Sequence, residues 1–258
     1  MHFLHMSWLN FKGQRAAFNF EEFILLDTAY PFLTLVFYCV MAGFAYGTTD
    51  VTDWVIGNAF MLCTNTCLFS LGTCFVGERY YGRIRSIIVG KTSKFEIVLQ
   101  KGFFAAVVSV VTTLVGFALG CLVFGIGLSK VPWGSLLLVL IIAMFAVMGL
   151  GMFLSVLGLV SHQIHMISNV MWYVLLIFTG TNFPISQLPE SVQIISYLLP
   201  MTRSIAAARE LVAGAKLSLV RGLLFGEVAV AFTYLVIAAV VIKYAEKIAI
   251  KNGTLELF

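Results

Sequence analysis

Charged positions divide this 258-residue chain into long apolar stretches. No residue between Asp53 and Glu78 is charged, and the same is true from Gly102 to Ser129 and from Val131 to Pro189. A helix crossing a bilayer needs about 20 predominantly apolar residues, so such runs predict transmembrane helices. The stretch from 131 to 189 is too long for one crossing. It must turn back at its polar break, Ser161-His162-Gln163-Ile164-His165. The pattern predicts six spans, at about 28–49, 54–77, 102–128, 133–160, 164–180 and 222–242. The expected fold is an all-α membrane protein.

The segments between spans have their own periodicity. In residues 1–27, Leu4, Trp8 and Phe11 share one helical face and Phe20, Phe23 and Ile24 another, against Lys12, Gln14, Arg15, Asn19 and Glu22. This predicts an amphipathic helix lying on the membrane surface. Residues 78–101 carry an Ile84, Ile87, Ile88 stripe among Arg79, Arg83, Arg85 and Lys91, which predicts a short amphipathic helix. A turn follows at Gly90, and Ser93-Lys94-Phe95-Glu96 reads as a capping box opening the next helix. Residues 181–221 are too apolar for an ordinary loop, and Pro184, Pro189 and Pro200 punctuate them. They predict two short helices dipping partway into the outer leaflet.

Charge gives the orientation. The N-terminal tail, the segment after span two and the C-terminal tail hold most of the Lys and Arg, which places both termini in the cytoplasm. The net charge of +4 is too small and dispersed to suggest nucleic acid as a partner. Hydrophobic residues form 60% of the chain and charged residues 11%, where a soluble domain carries roughly 25% charged. The first 27 residues lack the apolar core of a signal peptide. The five cysteines all lie in apolar stretches, which argues against a disulfide framework.

Little in the sequence supports catalysis. Gly90-Lys91-Thr92 imitates the end of a phosphate-binding loop, but Arg85 stands where the leading glycine belongs. His162 and His165 lack a third metal ligand and read as polar residues of a turn. There is no G-x-S-x-G, and no span contains both a Ser next to Gly and a His. Glu227 is the only acid within a predicted span. It is either a residue near the transport pathway or an interfacial or structurally paired acid, with Arg203 and Arg221 as possible partners. Met144, Met148 and Met152 form an adaptable apolar stripe on span four, suited either to a pathway or to core packing.

Two segments carry a family likeness. One is Gly77-Glu78-Arg79-Tyr80-Tyr81-Gly82-Arg83-Ile84-Arg85 with the helix start after it. The other begins Phe178-Thr179-Gly180-Thr181-Asn182-Phe183-Pro184 and continues through Leu188-Pro189, Pro200-Met201-Thr202 and Ala208-Arg209-Glu210-Leu211. In their order and spacing relative to six spans, they resemble the ABC-2-type permeases, the membrane subunits of ATP-binding-cassette exporters. Tyr80 and Tyr81 depart from the polar residues that family often has there. The resemblance implies a multi-pass protein of the plasma (inner) membrane, most simply of a bacterium. It would pair with a second permease, identical or paralogous, and with two ABC ATPase subunits. ATP and Mg would bind to those subunits, leaving this chain without a cofactor. Glu78, Arg79, Gly82, Arg83 and Arg85 would lie in or beside the ATPase contact. Pro184, Pro189, Pro200 and Arg209 would belong to an outer re-entrant gate. The cargo would be amphipathic or lipid-like: a drug, an antibiotic, a peptide or a lipid-linked glycan. The alternative is an ATP-independent secondary transporter or channel.

Overall fold

The computed structural model describes residues 2–15, 29–80, 82, 90, 93–127, 131–160 and 163–252. Among them the secondary structure is helical, without strands. In chain order the helices are α1 (His2–Arg15), α2 (Tyr30–Tyr46), α3 (Thr52–Gly72), α4 (Cys74–Tyr80), α5 (Lys94–Val123), α6 (Trp133–Val160), α7 (Ile164–Phe178), α8 (Glu190–Leu198), α9 (Thr202–Val212) and α10 (Arg221–Asn252). A single 3-10 turn, Ile185–Gln187, lies between α7 and α8.

Four of these helices are long and apolar enough to cross a membrane: Thr52–Glu78 (α3 running on into α4), Lys94–Val123, Trp133–Gly158 and Arg221–Tyr244. Helices α2 and α7 are apolar but shorter, with 17 and 15 residues. At about 1.5 Å per residue, α7 rises roughly 22 Å, short of a hydrocarbon core of about 30 Å. The predicted spans run a few residues longer than these two helices because the chain stays uncharged past the helix ends, through Thr49 and Gly180. Gly47, in the left-handed region at φ 63°, closes α2, and the chain leaves helical geometry after Phe178.

The bundle is built around α3 and α6. Their membrane-length windows are 69% and 67% buried, against 39% for α5 and 22% for α10. Close packing between helices depends on small residues that let backbones approach. Leu71 of α3 is fully buried and fills the space over Gly102 of α5 and Gly151 of α6. A Cβ on either glycine would come within 3 Å of its side chain. Gly149 of α6 likewise lies against the Ala231 carbonyl of α10.

Within the predicted N-terminal segment, α1 is helical over His2–Arg15. Its aromatic face packs on the start of α5, with Trp8 and Phe11 centred 5.3 and 5.6 Å from the Phe104 ring. Asn10 donates to Gln100 at 3.4 Å. The predicted second face, Phe20, Phe23 and Ile24, lies outside the described residues. The capping box is only half realised. Ser93 is the N-cap of α5 but makes no side-chain cap bond, and the Glu96 carboxylate instead accepts from Gln100 at 3.1 Å.

Candidate functional site

The shortness of α7 creates the first requirement at the site. The backbone after it, Thr179 to Thr181, is non-helical and buried. Buried carbonyls need partners, and in an apolar bundle only the protein can supply them. Helix α3 supplies two donors on one face. Trp54 Nε1 donates to the Asn182 carbonyl at 2.7 Å, and Asn58 Nδ2 to Asn182 Oδ1 at 3.1 Å. Helix α9 supplies Arg209, whose Nη2 donates to the Thr181 carbonyl at 2.9 Å and to the Asp53 carbonyl at 3.0 Å. Its Nε also donates to Asp53 at 3.2 Å. One guanidinium thus joins α9, the start of α3 and the segment after α7, using the fixed fork of donors that arginine alone offers. Gly57 permits the approach: a Cβ there would lie 2.6 Å from the Thr181 oxygen.

The predicted pair of short helices between α7 and α10 is present as α8 and α9, and each proline stands at a helix start. Pro184 precedes the 3-10 turn, Pro189 is the N-cap position of α8, and Pro200 leads into Met201, which holds that position for α9. Met201 has φ 74°, the only non-glycine in the left-handed region among the described residues. Such a conformation costs of order 1–3 kcal/mol unless its surroundings impose it. Here Glu227 of α10 imposes it. The carboxylate is fully buried and accepts from the backbone N–H groups of Met201, Arg203 and Ser204, at 2.5, 3.1 and 3.2 Å. It acts as an N-cap delivered by another helix, matching a negative charge to the positive end of α9. The sequence suggested Arg203 or Arg221 as its partner; the hydrogen bonds it accepts come from these backbone groups, that of Arg203 among them. The Arg203 guanidinium instead donates to the Tyr197 carbonyl at 2.6 Å.

Beside this latch, and sharing Asn58 with it, a cavity of about 100 Å³ opens between α2, α3 and α7. Helix α3 lines it with Asn58, Met61, Leu62, Asn65 and Phe69, helix α7 with Asn169, Trp172 and Tyr173, and helix α2 with Tyr30, Pro31, Thr34 and Leu35. Asn58, Leu62, Asn65 and Phe69 fall at i, i+4, i+7 and i+11, so α3 presents one half-polar face to the cavity. The sequence reading missed Asn58, Asn65 and Asn169 because it counted only charged residues within spans. The helical spacing of Asn58 and Asn65 was the available signal. Met144 and Met148, by contrast, are buried in the core and do not line this cavity.

At the other end of α3 the predicted coupling residues are only partly described. Arg83 and Arg85 lie outside the described residues, as does the Arg79 side chain. Gly82 is exposed, with φ 68°, a left-handed turn that glycine adopts without strain. Glu78 forms an ion pair with Lys101 of α5 at 2.5 Å, both side chains largely buried. Lys101 also approaches the Cys74 carbonyl at 3.4 Å. The pair fixes α4, and with it the start of the segment after span two, against α5. His165 is exposed on α7 and His162 lies outside the described residues. No group of three potential metal ligands occurs among the described residues.

A search of curated proteins finds no match. Compared with protein families, the chain matches ABC-2 type transporter over residues 25–212, a region that takes in α2, the cavity, the latch and α9. That match covers well over half of a chain folded as an all-helical, multi-pass bundle, and the protein belongs to the ABC-2 type transporter family, as a membrane permease and not the ATPase.

Proposed function

We propose that the chain is the permease subunit of an ATP-driven exporter that moves an amphipathic or lipid-like cargo outward across the plasma membrane. The observation that carries this reading is the cavity between α2, α3 and α7. It is polar-lined yet set into an apolar bundle, and it adjoins the hydrogen-bonded latch between α3, α9 and the segment after α7. Polar side chains within a bilayer cost free energy unless they are partnered, so a half-polar cavity between apolar helices suits a passing ligand.

In this mechanism α2 and α7 complete six crossings, and both termini face the cytoplasm. Cargo enters the cavity from the inner half of the bundle. Two permeases and two ATPase subunits form the working unit, with ATP and Mg bound by the ATPases. The segment after α4, with Arg79, Gly82, Arg83 and Arg85, docks on the ATPase. Glu78 and Lys101 carry the resulting push into α3 and α5, because the buried ion pair makes α4 move with α5. On the far side, α8 and α9 form the gate. Arg209 ties it to α3 and Glu227 ties it to α10, so movement between those two helices strains the gate and opens it.

Affinity purification from the native cell in mild detergent tests this. A soluble ATPase recovered in equal amount is the expected result, and the number of distinct permeases separates homodimer from heterodimer. Recovery of the chain alone under several detergents, together with transport that survives ATP depletion and follows a proton gradient, would establish a secondary transporter instead.

A further inference from the structure

The chemistry of the cavity lining specifies what enters it. We infer that the α2–α3–α7 cavity selects an electrically neutral, ring-bearing group that carries hydrogen-bond acceptors. This rests on reading the cavity as the cargo site and names the class of cargo it takes.

Charge comes first. No Asp, Glu, Lys, Arg or His is among the lining residues. A charged ligand leaving water for a low-dielectric site needs a counter-charge or a dense set of hydrogen bonds. Arg209, the cation of the adjoining latch, is committed to the carbonyls of Asp53 and Thr181. Among the described residues, the lining therefore offers nothing that would compensate either sign.

Hydrogen bonding comes second. Trp172 Nε1 is buried without a partner, and an indole N–H is only a donor. A buried donor left unmade is unfavourable, and an acceptor on the ligand would satisfy it once the indole turns its N–H to the cavity surface. Asn65 lies at the middle of the membrane-length helix Thr52–Glu78, with no hydrogen-bond partner among the described residues, and it offers two more donors. Asn58 uses its amide protons on Trp54 O and Asn182 Oδ1. It thus connects the cavity wall to the latch.

Shape comes third. Tyr30, Phe69, Trp172 and Tyr173 supply aromatic walls. The volume, about 100 Å³, is comparable to the ~150 Å³ cavities that accept one benzene ring. One ring with its acceptor is housed, and the remainder of the cargo extends past the cavity mouth.

Three phenyl-bearing probes that differ in charge test this directly on the purified full-length chain in phosphatidylcholine nanodiscs. They are triphenylphosphine oxide (neutral, one strong acceptor), tetraphenylphosphonium (a cation) and tetraphenylborate (an anion). Binding is measured by equilibrium dialysis as the excess over empty nanodiscs. The expected result is at least about tenfold tighter binding of the neutral probe than of either ion. Trp172→Phe, which keeps a ring and removes the donor, should weaken the neutral probe by about five- to tenfold. Asn65→Asp should shift the preference toward the cation. Ratios among probes within one sample do not depend on the fraction folded, so a poorly folding variant still reports. Equal binding of all three probes, or an Asn65→Asp variant with unchanged ratios, overturns the inference. So does binding of none of them together with loss of a chain dimer in Asn65→Leu, because the polar face would then be covered by a second copy. ATP and the ATPase are absent from the assay. A failure here leaves the permease reading intact, and a failure of the co-purification leaves the selectivity measurement standing.

Discussion

Two acids in this chain have roles that come from their neighbours rather than from their own chemistry. Glu227 satisfies three backbone N–H groups at the start of α9. Leaving such groups buried and unmatched costs about 1–3 kcal/mol each. Glu227→Leu should therefore lower the thermal midpoint of the purified protein markedly. Glu227→Gln, which keeps one acceptor oxygen, should lower it less. Glu78 and Lys101 behave differently, because each neutralises the other. Removing one partner from a buried pair costs about 3–5 kcal/mol, whereas apolar replacement of both is close to neutral. Lys101→Met should be clearly destabilised, and the double variant Lys101→Met with Glu78→Met should recover most of the loss in a thermal-unfolding cycle. An additive double variant would mean that the pair contributes nothing as a pair. The acid of Glu227 stood out in the sequence as the one charge within a span. Its partners did not, because backbone N–H groups leave no mark in a sequence.

At the scale of elements, the latch is the part most dependent on contacts distant along the chain. Trp54 and Asn182 are 128 residues apart, and Arg209 and Asp53 are 156 apart. Gly57 is what lets these segments meet. Gly57→Ala should displace the Thr179–Phe183 segment by pressing on the Thr181 carbonyl. Arg209→Lys should weaken it by removing the fork of donors. Both are measured by labelling a Thr181→Cys reporter with a membrane-impermeant maleimide. That position is fully buried in the folded chain, so labelling should be slow in the reporter alone and faster in either double variant. Equal rates in all three would show that the latch does not hold the segment. The prolines that begin the turn, α8 and α9 were legible in the sequence, since a fixed φ and a missing N–H suit the residue leading into a helix. That α7 would end at Phe178, two residues before the predicted Gly180, was not. The chain stays uncharged through Phe183, and the carbonyls freed where the helix ends depend on tertiary partners.

Across the whole molecule, packing is concentrated on α3 and α6, and Leu71 of α3 is wedged over two glycines on neighbouring helices. Leu71→Ala opens a cavity in that wedge and should cost about 2–5 kcal/mol, seen as a lower midpoint of unfolding in detergent without a change in the Glu78–Lys101 coupling. A loss below about 1 kcal/mol would show that α5 and α6 close over the gap. The same central helix carries the latch at one end, the cavity along its middle and, through α4, the Glu78–Lys101 tie at the other. A displacement at either end of α3 therefore reaches the cavity through a single rigid element.

Membrane residence, helical class and the general order of segments were decided by local composition. A run of apolar residues without charge must satisfy its own backbone inside a bilayer, and a helix does so from neighbours four residues apart. The two family-like segments were legible for a related reason, since they sit at turns where glycine and proline dictate the backbone. The cavity, the latch and the cap on α9 depended instead on which faces of distant helices meet. Asn58 and Asn65 lie on one face of α3 by helical spacing alone, but only packing decides whether that face looks at lipid, at core or at a cavity. Here α2 and α7 stand on either side of it and leave a gap. That gap is a property of three helices together, and no single segment of the chain encodes it.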